Sequence, residues 1–209
     1  MNNVKLVRFD QHHITEEQLN QIAELIYLTD EYIYPEAFGS INDRAIDLIK
    51  YLIKQETSFF HPKNLYLLIQ SDTIAALAVV IDDTANWYDR TLEKVHEDLA
   101  VEVNKDRLQN VENLYFKNVV RHHVKGSMTI VNVSTHPDYQ RQGLAKRLLI
   151  DILNQFPNHD FYLDVLSDNH GAIRLYQKLG FEITQKKPGF SPNGFIEEYQ
   201  MHYDHKKDT

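Results

Sequence analysis

The sequence predicts a mixed α/β fold of the α+β kind, and three observations predict it. Stretches with apolar residues at helical spacing alternate with short apolar, partly β-branched runs along the whole chain. The second half reads strand, helix, strand, helix, strand, strand, an order that lays crossover helices over a sheet. From Val131 the chain leaves a strand at Pro137 and re-enters an amphipathic helix through Gly143. Such a turn leaves unpaired backbone N–H groups at a helix start, a natural seat for phosphate.

The elements follow in order. Val4 to Phe9 alternates well enough for a first strand. Thr15-Glu-Glu-Gln18 has capping-box spacing, and the helix it opens carries Leu19, Ile22, Ala23 and Ile26 on one face until about Thr29. Glu31 to Gly39 is an aromatic loop broken by Pro35 and Gly39. Asn42 or Asp43 can cap a second helix whose inward residues are Ala45, Ile46, Ile49, Leu52 and Ile53. Leu65 to Gln70 and Ile74 to Ile81 read as a hairpin across Ser71-Asp-Thr73; neither alternates cleanly, which predicts cover on both faces. The stretch 83–126 repeats apolar residues at threes and fours among many charges, so two helices are expected there, about 87–104 and 107–120, as an insertion. Ser127 to Thr135 is the next strand, Gln142 to Phe156 a helix, Phe161 to Leu166 a strand, and Asn169 to Leu179 a helix stopped by Gly180. Phe181 to Lys186 and Phe195 to Tyr203 finish the sheet, with a Lys187–Gly194 loop between them. The tail from Asp204 is expected to fray. Residues 1–209 are read as one domain carrying the insertion at about 83–126.

Composition narrows the function classes. A 43% hydrophobic and 25% charged chain can build a core and resembles ordinary soluble proteins. The net charge of −8 argues against nucleic-acid binding, which calls for a basic face. With no cysteine, disulfides, thiolate metal sites and a cysteine nucleophile are excluded. His12-His13, His122-His123 and His136 lack metal-ligand spacing, and no metal is expected. The first residues lack the apolar core of a signal peptide, and no stretch reaches the ~18 apolar residues of a membrane span. A cytoplasmic protein without membrane attachment is expected.

The Gln140-Arg-Gln-Gly-Leu-Ala145 turn carries the first chemistry. Gly143 lets a ligand approach the backbone, Ala145 adds little bulk, and the helix dipole adds positive charge there. Arg141, Lys146 and Arg147 offer further cations. Taken alone, the turn suits equally a helix that starts on a glycine for steric reasons. It is neither a dinucleotide fingerprint nor a Gly-Lys-Ser/Thr phosphate loop. Downstream, Asn169 begins a helix, and Tyr176 shares a stripe with Ala172, Ile173 and Leu179 that by period alone reads as core.

In combination, Thr135-His-Pro-Asp-Tyr, Gln140-x-x-Gly143-x-Ala145 and Asn169-x-x-Ala172-x-x-x-Tyr176-x-Lys178-x-Gly180-Phe181 resemble the GNAT superfamily of N-acetyltransferases over about residues 127–186. The resemblance implies a mixed, mostly antiparallel sheet of six to seven strands flanked by helices, with the helical insertion before the central strand. It implies acetyl-CoA as co-substrate, lying where the Ser127–Thr135 strand splays from the Phe161–Leu166 strand. Backbone groups of Val133 and Thr135 are expected to pair with the pantetheine arm, Gln140, Arg141, Gln142, Gly143, Leu144 and Ala145 to hold the diphosphate, and Asn169 to bond the pantetheine. Tyr176 is expected near the sulfur, where a phenol of pKa ~10 can protonate the departing thiolate.

The strand before the turn holds no carboxylate, so a base must come from elsewhere. Asp82, Asp83, Glu31, Glu36, Glu197 and Glu198 are the candidates, and none enters the catalytic set. The expected reaction is acetyl transfer to a primary amine, a small molecule or a peptide, by direct attack in a ternary complex. A longer acyl donor, or a CoA-binding sensor without turnover, is the alternative. The insertion is placed to cover the pocket or to form a homodimer face.

Overall fold

Among the described residues, seven strands form one sheet in the order β1-β2-β3-β4-β5-β7-β6. They are β1 (Lys5–Arg8), β2 (Leu65–Gln70), β3 (Thr73–Asp82), β4 (Met128–Thr135), β5 (Phe161–Leu166), β6 (Glu182–Gly189) and β7 (Ile196–Tyr203). The computed structural model describes residues 4–30, 32, 34–35, 45–56, 58–82, 126–189 and 196–208. Every neighbouring pair is antiparallel except β4 and β5, which run parallel. This is the mixed, mostly antiparallel sheet the sequence implied. The two predicted insertion helices, 87–104 and 107–120, lie outside the described residues, as do Asn42 and Asp43.

Helices cover both faces. α1 (Glu16–Tyr27) and α2 (Ala45–Ile53) bury Ile22, Ile26, Ile49 and Leu52 against Leu65, Leu67, Leu77 and Val79. α3 (Leu144–Gln155) and α4 (His170–Lys178) bury Leu148, Leu149, Ile152 and Ile173 against Tyr66, Leu68, Ala78 and Leu163. Successive residues of β2 therefore feed opposite cores, which is why that strand is apolar without alternation. Each fully buried leucine or isoleucine contributes roughly 1.5–3 kcal/mol.

Local chemistry fixes the joints. The Thr15 hydroxyl accepts from Gln18 N while Gln18 Oε1 accepts from Thr15 N, completing the capping box. Ser71 and Asp72 both take positive φ, 50° and 65°, the conformation of a two-residue hairpin turn between twisted strands. Gly180 takes φ 93° just past α4, the left-handed stop its residue type predicted.

Most boundaries lie within a residue or two of the sequence expectation, and three differences bear on the structure. α3 begins at Leu144, not Gln142, because Gly143 takes φ 78° as the residue before the first turn. β6 runs on through Lys187, Pro188 and Gly189, opposite Glu198, Glu197 and Ile196. Pro188 is tolerated because β6 is the sheet edge, where a missing N–H breaks no ladder bond. The tail forms a short 3-10 turn, His205–Asp208, held where Asp160 Oδ1 accepts from the His205 backbone N–H and meets its ring Nδ1 at 2.7 Å. Among the described residues no helix is long and apolar enough to cross a membrane.

Candidate active site

β4 and β5 pair only from Met128 and Phe161 to Ile130 and Leu163. Val131 is then an extra residue against β3, since Val79 pairs Asn132 and Val80 pairs Ile130. A bulge of this kind bends the strand locally. Beyond it the strands part, and the wedge opens into a cleft of about 420 Å³.

One wall of the wedge is bare backbone. His136 N donates to Ala75 O at 3.0 Å, and Thr135 stands opposite Ala76. Bonded and non-bonded pairs alternate in an antiparallel ladder. Val133 and Thr135 therefore turn their N–H and C=O groups away from β3, toward the open side. Among the described residues, the Gln140 side-chain amide donates to Thr135 O at 3.4 Å. That contact ties the turn back to the strand.

The chain next passes through a 3-10 turn at Pro137–Tyr139 into the glycine turn. Arg141 and Gly143 both take left-handed φ, 59° and 78°, which aims successive amides the same way. The first intrahelical bond is Arg147 N to Gly143 O. The amides of Arg141 through Ala145 have no protein acceptor among the described residues. A Cβ built on Gly143 meets nothing within 4 Å, so the space over the turn is open. Arg141 and Lys146 are exposed there. Arg147 is not the mobile cation expected: its guanidinium donates to Val4 O at 2.8 Å and lies 3.7 Å from Asp151. Gln142 likewise spends its side-chain amide on Asp138 O, and the Leu144 side chain is buried in the core, leaving its amide as its available group.

Asn169 and Tyr176 line the cleft together with Val133, whereas Thr135 and the 140–145 turn lie along the exit of β4, outside it. Asn169 caps α4, its Oδ1 accepting from Ala172 N at 3.1 Å, so its amide N–H₂ is the end left to meet a ligand. Tyr176 is 8% exposed, and burial alone pushes its phenol up to about 12. It therefore stands protonated at neutral pH.

The opposite wall is polar and was largely missed in the sequence. Asn132, 5% exposed, donates its amide to Thr29 Oγ1 at 2.6 Å and to Tyr34 Oη at 2.9 Å. Burial pushes the Tyr34 phenol far up. Asp30, Asp164, Asp168 and Glu198 also line the cleft. Lys187, buried on β6, lies 2.8 Å from Asp164 and 3.6 Å from Glu198. Glu198 is pushed up to about 7, first by burial and next by Asp164, with Lys187 opposing. Of the base candidates named from sequence, only Glu198 lines this cleft among the described residues. Asp82 is exposed at the closed end of the β4–β5 pair, and Glu197 pairs with Lys186 at 3.3 Å. Glu31, Glu36 and Asp83 lie outside the described residues. A polar residue at a buried β4 position was the one sequence signal for Asn132; nothing in sequence ranked Glu198 above its neighbour.

The ligand atoms of Asp160, Asp204 and His205 lie within 4.8 Å of one another at the far end of β5, but Asp160 is occupied by His202 and His205. The cleft itself offers no such set among the described residues. What it does offer is an unpaired strand edge, an amide-lined turn, a protonated phenol and a carboxylate that titrates near neutrality.

Comparison with known proteins bears on the fold and on the class of reaction. The Acetyltransferase (GNAT) family model matches residues 81–181. The [Ribosomal protein bS18]-alanine N-acetyltransferase of Escherichia coli K12 is 34% identical over 67 residues, 31% of this chain and 45% of that protein. An L-amino acid N-acyltransferase of the same organism is 35% identical over 60 residues, 27% of this chain and 35% of that protein. The chain thus aligns with less than half the length of these curated relatives. Among solved structures, an N-acetyltransferase from Staphylococcus aureus Mu50 superposes with a TM-score of 0.68 at 14% identity, covering 95% of this chain and 99% of that one. The Escherichia coli ribosomal-protein-S18-alanine N-acetyltransferase gives 0.52 at 18% identity, over 97% of this chain and 93% of that one. The Acetyltransferase (GNAT) family model thus matches the segment that carries the turn and the Asn169–Tyr176 helix, and the chain shares the fold of the solved N-acetyltransferases.

Proposed function

We propose that this protein is an N-acetyltransferase that moves an acetyl group from acetyl-CoA to a primary amine by direct attack in a ternary complex. The observation that carries the reading is the bare edge of β4, running from the cleft to a turn of unpaired amides. Val133 and Thr135 receive the pantetheine arm as an added strand. Arg141 to Ala145 hold the diphosphate with backbone N–H groups at the start of α3. Gln140 acts behind them, pinning the turn to Thr135, and Asn169 donates to the pantetheine amide. When bound, the co-substrate supplies an activated acetyl carbon at the mouth of the wedge.

Protein groups then move the protons. Glu198, titrating near neutrality, takes one proton from the acceptor ammonium, directly or through a water. The freed amine nitrogen bonds the acetyl carbon as the carbon–sulfur bond breaks. The Val133 N–H steadies the charge that gathers on the carbonyl oxygen. Tyr176 gives its proton to the departing sulfur and regains one from the new amide nitrogen. Burial, which holds the phenol proton, also raises the basicity of a thiolate formed beside it. One net proton leaves through Glu198. The chain has no cysteine to carry the acetyl group, which supports direct transfer.

The test is saturable thiol release from acetyl-CoA with a pool of amines, paired with calorimetry on Gly143→Glu. That variant should fold and lose acetyl-CoA affinity, because a carboxylate would stand in the open space over the turn. Affinity equal to that of the unaltered protein removes the diphosphate assignment.

A further inference from the structure

The polar wall of the cleft has a charge pattern that bears on what it accepts. Asp30, Asp164, Asp168 and Glu198 line it, and no Lys, Arg or His side chain does so among the described residues. The nearest buried cation, Lys187, is engaged by Asp164 and Glu198. Asp30 lies close enough to Glu198 to act on its charge.

Asn132 adds an independent observation. The Thr29 hydroxyl donates to Ile26 O at 2.6 Å, so toward Asn132 it accepts. That fixes the Asn132 nitrogen on Thr29 and Tyr34, and Oδ1 on the other side. Among the described residues Oδ1 is buried and meets no donor. A buried acceptor without a donor is costly, and here a ligand N–H satisfies it. An ammonium is the ligand group that meets both an orphaned carbonyl oxygen and a set of carboxylates. A carboxylate on the same molecule meets only repulsion.

We propose that the acceptor pocket selects cationic amines that carry no carboxylate near the nitrogen, with Asn132 Oδ1, Glu198 and Asp30 receiving the ammonium, so that free amino acids are turned away. This rests on the acetyl-transfer reading, and the two fail differently in the following experiment.

Three conjugates join CoA sulfur through an acetyl bridge to an amide whose nitrogen carries a two-carbon chain ending in an ammonium, a methyl or a carboxylate. Calorimetry at low salt should rank the ammonium first and the carboxylate last, about tenfold or more apart. About 0.5 M sodium chloride should narrow the gap, as should Glu198→Gln combined with Asp30→Asn. Equal affinities within about twofold, or a preference for the carboxylate, overturn the proposal. So does binding of CoA itself with rejection of all three conjugates. If neither the conjugates nor CoA bind, the transfer reading falls and this inference falls with it. Asn132→Leu should weaken all three conjugates alike by about fivefold or more, since their amide N–H takes the ammonium's place at Oδ1. No change, with an unaltered melting temperature, removes Asn132 from the assignment.

Discussion

At the scale of single residues, two side chains with displaced ionisation, Tyr176 buried and Glu198 half-buried, carry the proposed chemistry. Tyr176 sits at the end of a stripe that any helix would bury, so in sequence its hydroxyl could not be told from packing. Its place on the cleft is what the proposed acid role rests on, and helical period does not show it. Tyr176→Phe keeps the ring against Phe181 and removes only the proton. Turnover should fall by about 10²-fold while acetyl-CoA affinity stays within about twofold, read by steady-state kinetics and calorimetry. Glu198 titrates among three charged neighbours: Asp164 on β5, Lys187 on β6 and Asp30 after α1. Because a base must be unprotonated, activity should rise with pH through a limb near 7. Asp164 raises Glu198, so Asp164→Asn should move that limb to lower pH. A limb that does not move assigns it to another group.

At the scale of elements, the turn before α3 depends on two left-handed residues, Arg141 and Gly143. Gly143→Ala should be accommodated sterically, since nothing stands within 4 Å of a Cβ there. The strained φ costs about 1 kcal/mol, to be read as a lower urea midpoint. Acetyl-CoA affinity should fall as well, because the turn relaxes and its amides no longer converge; unchanged affinity would show that the geometry tolerates a side chain. This element was legible in sequence because Gln140-x-x-Gly143-x-Ala145 encodes backbone shape, and backbone shape is what the proposed diphosphate site uses. The capping box at Thr15 and the stop at Gly180 were legible for the same reason. Lys187 to Gly189 was not, because Lys-Pro-Gly is loop chemistry everywhere except at a sheet edge, and edge position is a property of the whole sheet. Asn132, Asp164 and Glu198 come together from β4, β5 and β7, and no local pattern announces a meeting across three strands.

At the scale of the whole molecule, the cleft is also a structural joint. β5, β7 and β6 lie side by side at its polar end, and Asp164, Glu198 and Lys187 link one to the next through a single buried ammonium. Their side chains are 17%, 14% and 5% exposed, so solvent screens these charges weakly. Lys187→Met keeps the bulk of the stem but leaves two carboxylates facing each other without a cation. Stability should drop by about 3–5 kcal/mol, as when one partner of a buried pair is removed. The loss should depend on pH in a definite sense. Glu198 has a folded pKa raised above its unfolded value, so as pH rises between the two the folded state alone holds the proton and stability falls. Without Lys187 the folded value moves higher still, and the window of falling stability extends further into alkaline pH. The deficit of Lys187→Met should therefore be larger at about pH 8.5 than at about pH 6. Adding Glu198→Gln should restore part of the stability and abolish that pH dependence, while leaving the protein without its proposed base. Urea unfolding of the single and double variants at the two pH values measures this directly, and a pH-independent deficit would mean that Lys187 holds the strands together by packing, not by charge.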